Sequence, residues 1–218
     1  MKERPILFSG EMVRAILDGR KTQTRRKMKP RPPSGVPEGV YCDPYNGNFE
    51  HFTFWTQDDK MCNGLIGNVK IKGNPTCHWK CPYGVPGDRL WVRETWREPE
   101  DHEGFEGGVV IYAASEMDAA VKWKPSIHMP RYASRITLEI VNVKVERLHD
   151  IGADDCRQEG IEPPVMTGCH GSATAEDIKK LLDIGWRWAY QHVWNNINRP
   201  GSWEKNPWVW VVEFKRIS

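Results

Sequence analysis

Apolar and polar positions are patterned unevenly along the chain. In "SGEMVRAILDG" Met12, Val13, Ile16 and Leu17 recur at helical spacing, with Ser9 placed to cap the start and Gly19 to stop the end. "CPYGVPGDRLWVRETW" predicts a turn and then a strand, whose period of two puts Leu90, Val92 and Glu94 on one face and Trp91 and Arg93 on the other. "ASRITLEIVNVKVERL" alternates over one long strand or two, and "GADDCRQEG" predicts a short helix stopped by Gly160. "ATAEDIKKLLDIGWRWAYQHVWNNIN" holds one or two amphipathic helices, with Trp188, Val193, Trp194 and Ile197 as expected core contacts. Thr174 and Asp177 make a partial capping box before it. "WVWVVEFKRI" reads as a buried closing strand.

Residues 30 to 80 differ in character. "PRPPSGVPEG" is turn-rich, and the stretch from there to Lys80 is full of Gly, Asn, Asp and aromatics, so an insertion of short strands and loops is expected. No internal repeat or low-complexity tract interrupts the rest. The order of elements suits an α+β chain: a small mixed β-barrel with peripheral helices, one domain over 1–218, with an irregular insertion at about 30–80.

Charge and composition narrow the partners. The 218 residues carry a net charge of +2, so any nucleic-acid contact must come from a local basic patch, and a small or single-stranded ligand fits better than a long duplex. There is no apolar run long enough to span a bilayer and no apolar leader segment, so a cytoplasmic protein with no membrane partner is expected. Six cysteines in such a chain predict free thiols or metal ligands rather than disulfides. Cys42, Cys62, Cys77 and Cys81, with His78, leave a structural zinc open, although no Cys-x-x-Cys pair is present; unligated thiols are the other reading. Cys156 and Cys169 read as unligated. No cofactor is called for.

"DGRKTQTRR" gathers Arg20, Lys21, Thr22, Thr24, Arg25 and Arg26 directly after a helix. It is either a solvated basic cap on the helix's negative end or a loop that holds a polar or anionic ligand. Lys21 and Thr24 are spaced to reach one side of a tight turn. A threonine hydroxyl attacks only when a base takes its proton, and a lysine serves as that base only if burial or neighbouring cations lower its pKa, for which Arg20, Arg25 and Arg26 are candidates. As a loop side chain at a cleft, Lys21 is expected to be dispensable for the fold. Glu94 reads as a ligand-binding group or as one half of a rim salt bridge. In "HMPRYASRI", Arg131, Ser134 and Arg135 suit either phosphate and base-edge contacts or a structural loop. Trp91, Trp96 and Tyr132 are stacking platforms or core.

Taken in order, "ILDGRKTQTRR", "PGDRLWVRE", "SRITLEI", "RQEGI" and "WVWVVEFKRI" resemble the ASCH superfamily, whose fold is a PUA-like β-barrel. With "MPRYASRI", the likeness extends to the longer ASCH proteins of bacteriophages and prophages. It covers roughly residues 5 to 29 and 81 to 218, and leaves out 30 to 80. Within the superfamily, the amidohydrolases of N4-acetylcytidine use a lysine and a threonine in a "GRKT-x-T" loop and a glutamate in a later short helix. The resemblance therefore implies Lys21, Thr24 and Glu159 as catalytic residues, with Glu159 orienting the lysine or handling the leaving amine's proton. Arg20, Arg26, Glu94, Arg131, Ser134 and Arg135 would be substrate-binding. Those enzymes are about half this length, so the insertion is a departure that could reshape the pocket. The likeness leaves three readings: a hydrolase of acylated nucleosides, a non-catalytic reader of RNA or a modified base, and a ribonuclease in the same cleft. In each the partner is a nucleoside or single-stranded RNA.

Overall fold

The computed structural model describes residues 1–29, 81–99, 109–116, 121–162 and 174–218, and the backbone of 43–44, 52–54 and 77–79. Strand β1 (Glu3–Leu7) leads into helix α1 (Gly10–Leu17) and then β2 (Gln23–Lys27). Strands β3 (Asp43–Pro44), β4 (Phe52–Phe54) and β5 (Cys77–Trp79) pair as a small antiparallel sheet. Next come β6 (Arg89–Arg93), β7 (Trp96–Arg97), β8 (Ile111–Tyr112), β9 (Thr137–Arg147), α2 (Ala153–Gln158), α3 (Ala175–Asn198) and β10 (Trp208–Arg216).

The main sheet has five strands in the order β1-β6-β9-β10-β2. Only the β1–β6 pairing is parallel; β6–β9, β9–β10 and β10–β2 are antiparallel. Residues near the two ends of the chain therefore share one sheet. Among the described residues no ladder joins β1 to β2, so the expected barrel is not closed by backbone pairing. The two edges meet through a side chain instead: Arg26 Nη2 donates to the Leu7 carbonyl at 2.6 Å.

Strand β10 explains the layering. Alternation sends Trp208, Trp210, Val212 and Phe214 to one face, where they meet Ile6, Val13, Ile16, Leu90, Leu138 and Ile140. Val209 and Val211 go to the other, against Leu148, Ile151, Cys156 and the α3 stripe Trp186, Tyr190 and Trp194. A strand covered on both faces reads as a continuous apolar run, as this one does. The register slips at Glu213/Phe214, where β9 carries an extra residue, Val141, which faces solvent.

Several elements obey their local signals. Ser9 caps α1, its hydroxyl accepting from the Met12 amide at 3.4 Å, and Gly19 takes φ +73° just past the helix. Thr174 and Asp177 close a full capping box on α3, which is one helix rather than two. "ASRITLEIVNVKVERL" is one strand.

Other expectations are corrected. "DGRKTQTRR" is not simply a loop: Gln23, Thr24, Arg25 and Arg26 join the next lysine in β2, and the first three of them are buried. Trp188 and Ile197 are exposed on α3 and Val193 is half-buried, because the helix turns Trp186, Tyr190 and Trp194 inward. Trp91 and Trp96 are core, and Tyr132 is exposed. Cys42, Cys62 and Cys169 lie outside the described residues; Cys81 and Cys156 are buried free thiols. Among the described residues, no cluster of side chains is arranged to hold a metal.

Candidate functional site

The turn after α1 and the end of α2 lie side by side. The Lys21 amide donates to the Ala15 carbonyl at 2.9 Å, the Thr22 amide donates to the Gln158 carbonyl at 2.8 Å, and Lys21 and Glu159 form an isolated antiparallel bridge. Gly160 makes this approach possible. Its φ is +81°, and a Cβ there would sit 2.8 Å from the Ala15 Cβ and 2.9 Å from the Lys21 Cβ. Two segments far apart in sequence are thereby held in contact without a helix–helix interface.

The bridge brings charge into the interior. Lys21 Nζ donates to Glu159 Oε2 at 2.7 Å and to the Glu159 main-chain carbonyl, also at 2.7 Å, with the lysine side chain 0 % and the glutamate side chain 3 % exposed. Arg25, equally hidden, lies across from the pair. Its Nη1 is 3.5 Å from Glu159 Oε1, and its Nη2 is 3.1 Å from both Glu146 Oε2 and Asp155 Oδ2. Gln23 Nε2 donates to Asp155 Oδ1 at 3.2 Å. A cationic pair and three carboxylates thus share one network, buried at Lys21, Arg25 and Glu159 and half-buried at Glu146 and Asp155, so each interior charge meets an opposite one.

Burial pulls the Lys21 amine below its usual value of 10.5. The Glu159 charge and hydrogen bond oppose that, and the charges of Arg26 and Arg25 add to the lowering. Two of the three arginines expected to act on Lys21 therefore do so. Asp155 is held below the ordinary carboxyl range: burial works against this, but Arg25, the Gly152 amide and Gln23 outweigh it. Burial, reinforced by the Glu159 charge, pushes the Tyr190 phenol well above 10.

A cavity of about 640 Å³ opens next to this network. Thr24, Arg25 and Glu159 line it at one side, Tyr190 and Trp194 at another, and Arg14, Arg20, Arg26 and Lys27 supply positive charge around it. A space of this size accepts a small organic ligand. Of the expected catalytic set, Thr24 and Glu159 line the cavity and Lys21 sits behind Glu159. No hydrogen bond joins the Lys21 amine to the Thr24 hydroxyl; both of its bonds go to Glu159. Nor is Lys21 a dispensable loop side chain, since it is among the largest fully buried ones.

The expected binding residues divide into two groups. Arg20 and Arg26 line the cavity, Arg20 donating to the Gly160 carbonyl at 3.1 Å and Arg26 lying 5.1 Å from the Phe8 ring centroid. Glu94, Arg131, Ser134 and Arg135 do not. Arg135 forks onto both oxygens of the buried Glu94 at 3.0 and 2.9 Å, and its guanidinium stacks on Tyr112. Ser134 donates to the Val92 carbonyl at 2.8 Å, and Arg131 pairs with Glu3 at 3.1 Å. Each of these four is already engaged in holding strands and turns together.

Asp155 and Tyr190 are site residues that the motifs do not single out. Asp155 stands four positions before Glu159, a spacing that puts both carboxylates on one side of a helix turn. Tyr190 is four before Trp194 in the same way. Arg25 is expected as a cation near Lys21, but its burial in β2 against Glu146 and Asp155 carries no signal, since basic residues in a strand ordinarily point to water. No family model, no curated protein and no solved structure matches the chain.

Proposed function

We propose that the cavity beside Glu159 takes a nucleoside or an unpaired base of RNA, and that the chain hydrolyses the acyl group of an N-acylated nucleoside such as N4-acetylcytidine, on a PUA-like fold of the ASCH kind. The observation that carries this reading is the buried Lys21–Glu159 pair next to a nucleoside-sized cavity that Thr24 also lines. Aromatic walls at Tyr190 and Trp194 suit a planar base, and the surrounding arginines suit its polar edges. The same reading carries a cytoplasmic location as part of the proposal.

In the mechanism, the Thr24 oxygen attacks the acyl carbon while its proton passes to the neutral Lys21 amine, whose lowered pKa keeps a larger share unprotonated near neutral pH. The carbon–nitrogen bond breaks, and the proton goes on to the departing base amine. Water then cleaves the acyl-threonine, releasing the carboxylate and restoring the hydroxyl. To reach Thr24, the lysine must exchange one of its two bonds to Glu159, and Glu159 guides that swing.

A second reading, a binding module without chemistry, is favoured by one observation: both bonds of the Lys21 amine are already taken by Glu159. Incubation with acylated nucleosides and with short single-stranded RNAs, followed by mass spectrometry, separates the two. The expected products are free nucleoside and carboxylate, with Thr24→Val reducing the rate about a thousandfold. Retention of RNA with no product would select the reader.

A further inference from the structure

Beyond the base-binding part of the cavity, the structure gathers four cations where β2, α3 and the turn before β10 come together. Lys27 lines the cavity, and its Nζ lies 5.5 Å from the ring centroid of Trp194, which also lines it. Lys27 pairs in register with Val209, and the Met28 amide donates to the Trp208 carbonyl at 3.0 Å, so Lys29 emerges alongside the turn that carries Lys205. Arg199 comes directly after Asn198, the last cavity-lining residue of α3, in the left-handed region at φ +81°. That conformation strains a residue with a side chain and turns the chain sharply at the cavity's end.

Among the described residues, none of these four cations makes an ion pair, in contrast to Lys21, Arg25, Arg131 and Arg135. The Lys27 amine is lowered by partial burial and then by Lys205, Lys29 and Arg199 in turn. Like charges left together without anions repel, and a dianionic or bridging phosphate relieves that repulsion.

We infer that the Lys27 end of the cavity is a phosphate subsite formed by Lys27, Lys29, Arg199 and Lys205, so that the ligand is a phosphorylated nucleoside rather than a free one. This rests on the proposed base-binding cavity, whose aromatic wall at Trp194 adjoins the subsite. The phosphate comes either from a free nucleotide or from a strand that continues past the bound base.

Calorimetric titration with cytidine, cytidine 5′-monophosphate, a short single-stranded RNA and inorganic pyrophosphate tests it. The monophosphate is expected to bind at least about tenfold more tightly than the nucleoside, and the advantage should weaken with salt by about one unit of log–log slope per cation engaged. The double variant Lys29→Glu/Lys205→Glu should bring the ratio to about one. Lys179→Glu, an exposed charge reversal elsewhere on α3, should leave it unchanged. RNA binding tighter than the monophosphate identifies the strand as the source, and the reverse identifies the free nucleotide. Equal affinity for nucleoside and monophosphate overturns the subsite and leaves the cavity reading standing. Pyrophosphate binding that is lost in the double variant, with no nucleoside binding, keeps the subsite and removes the cavity reading. No binding of any of the four probes overturns both.

Discussion

Removing the Lys21 amine leaves Glu159, 5 % exposed, with Arg25 at 3.5 Å as its remaining cation and a cavity where the lysine stem had been. Breaking a buried pair on one side costs about 3–5 kcal/mol, so Lys21→Ala is expected to lower the melting temperature by about 10 °C, read by thermal denaturation. The double variant Lys21→Met/Glu159→Gln removes both charges and should recover a large part of that loss; if it does not, the pair's stem packing rather than its charge is what the fold needs. The same burial silences the thiols. Burial raises Cys81 to about 11 and Cys156 to about 12, so neither forms much thiolate at neutral pH. Alkylation of the native protein with subsequent peptide mass mapping should leave both unmodified, and denaturant should expose them together.

At the scale of elements, the site depends on how the end of α2 meets the turn after α1. Gly160→Ala meets both a left-handed φ and two Cβ atoms closer than 3.0 Å, whereas Gly19→Ala meets the same φ with open space around it. The first should cost about 1–3 kcal/mol and loosen the Lys21–Glu159 bridge, and the second about 1 kcal/mol without touching the cavity. Chemical denaturation of the two variants, compared directly, checks the order; equal losses would mean that the close contact relaxes freely. Elements with a local cause were legible in the sequence. Ser9, Gly19 and the Thr174–Asp177 box announce α1 and α3, period two announces β9, and an apolar run announces β10. Strand β2 was hidden because Gln23, Thr24 and Arg25 are polar, and their burial is decided by partners far along the chain: Asp155, Glu146 and Glu159. Trp188 and Ile197 misled for the opposite reason. They are large and apolar, but at nine positions apart they lie on opposite sides of the helix, and the face that turns inward is the four-residue repeat Trp186, Tyr190 and Trp194, which packs on Val209 and Val211. Lys21, Arg25 and Glu159 were legible through motifs; the ties of Arg25 to Asp155 and Glu146 were not.

For the molecule as a whole, the buried charges make stability rise with pH at both ends of the pH scale. Lys21 holds its proton less tightly in the folded chain than in the unfolded one, where a lysine titrates near 10.5. Between that lowered value and 10.5 the unfolded state carries the extra proton, so stability rises with pH across the window. Asp155 and Asp88 act at the other end. In Asp88 burial is outweighed by the Arg4 side chain and the Lys2 amide, and both carboxyls lie below the ordinary 3.8, so their contribution is lost as pH falls through 3.8 toward the lowered values. Urea unfolding over a pH series should show both limbs, with Lys21→Met flattening the alkaline rise and sparing the acid loss; an unchanged rise would assign it to another group. The pairing of β2 with β10 has a kinetic consequence. Gln23–Lys27 finds its sheet partner only at Val209–Glu213, and Lys21 finds its carboxylate only at Glu159. Closing loops of that length precedes any return from the contacts, so the strand that carries Thr24 and Arg25 docks late in folding, and its charges stay hydrated until the rest of the sheet is in place.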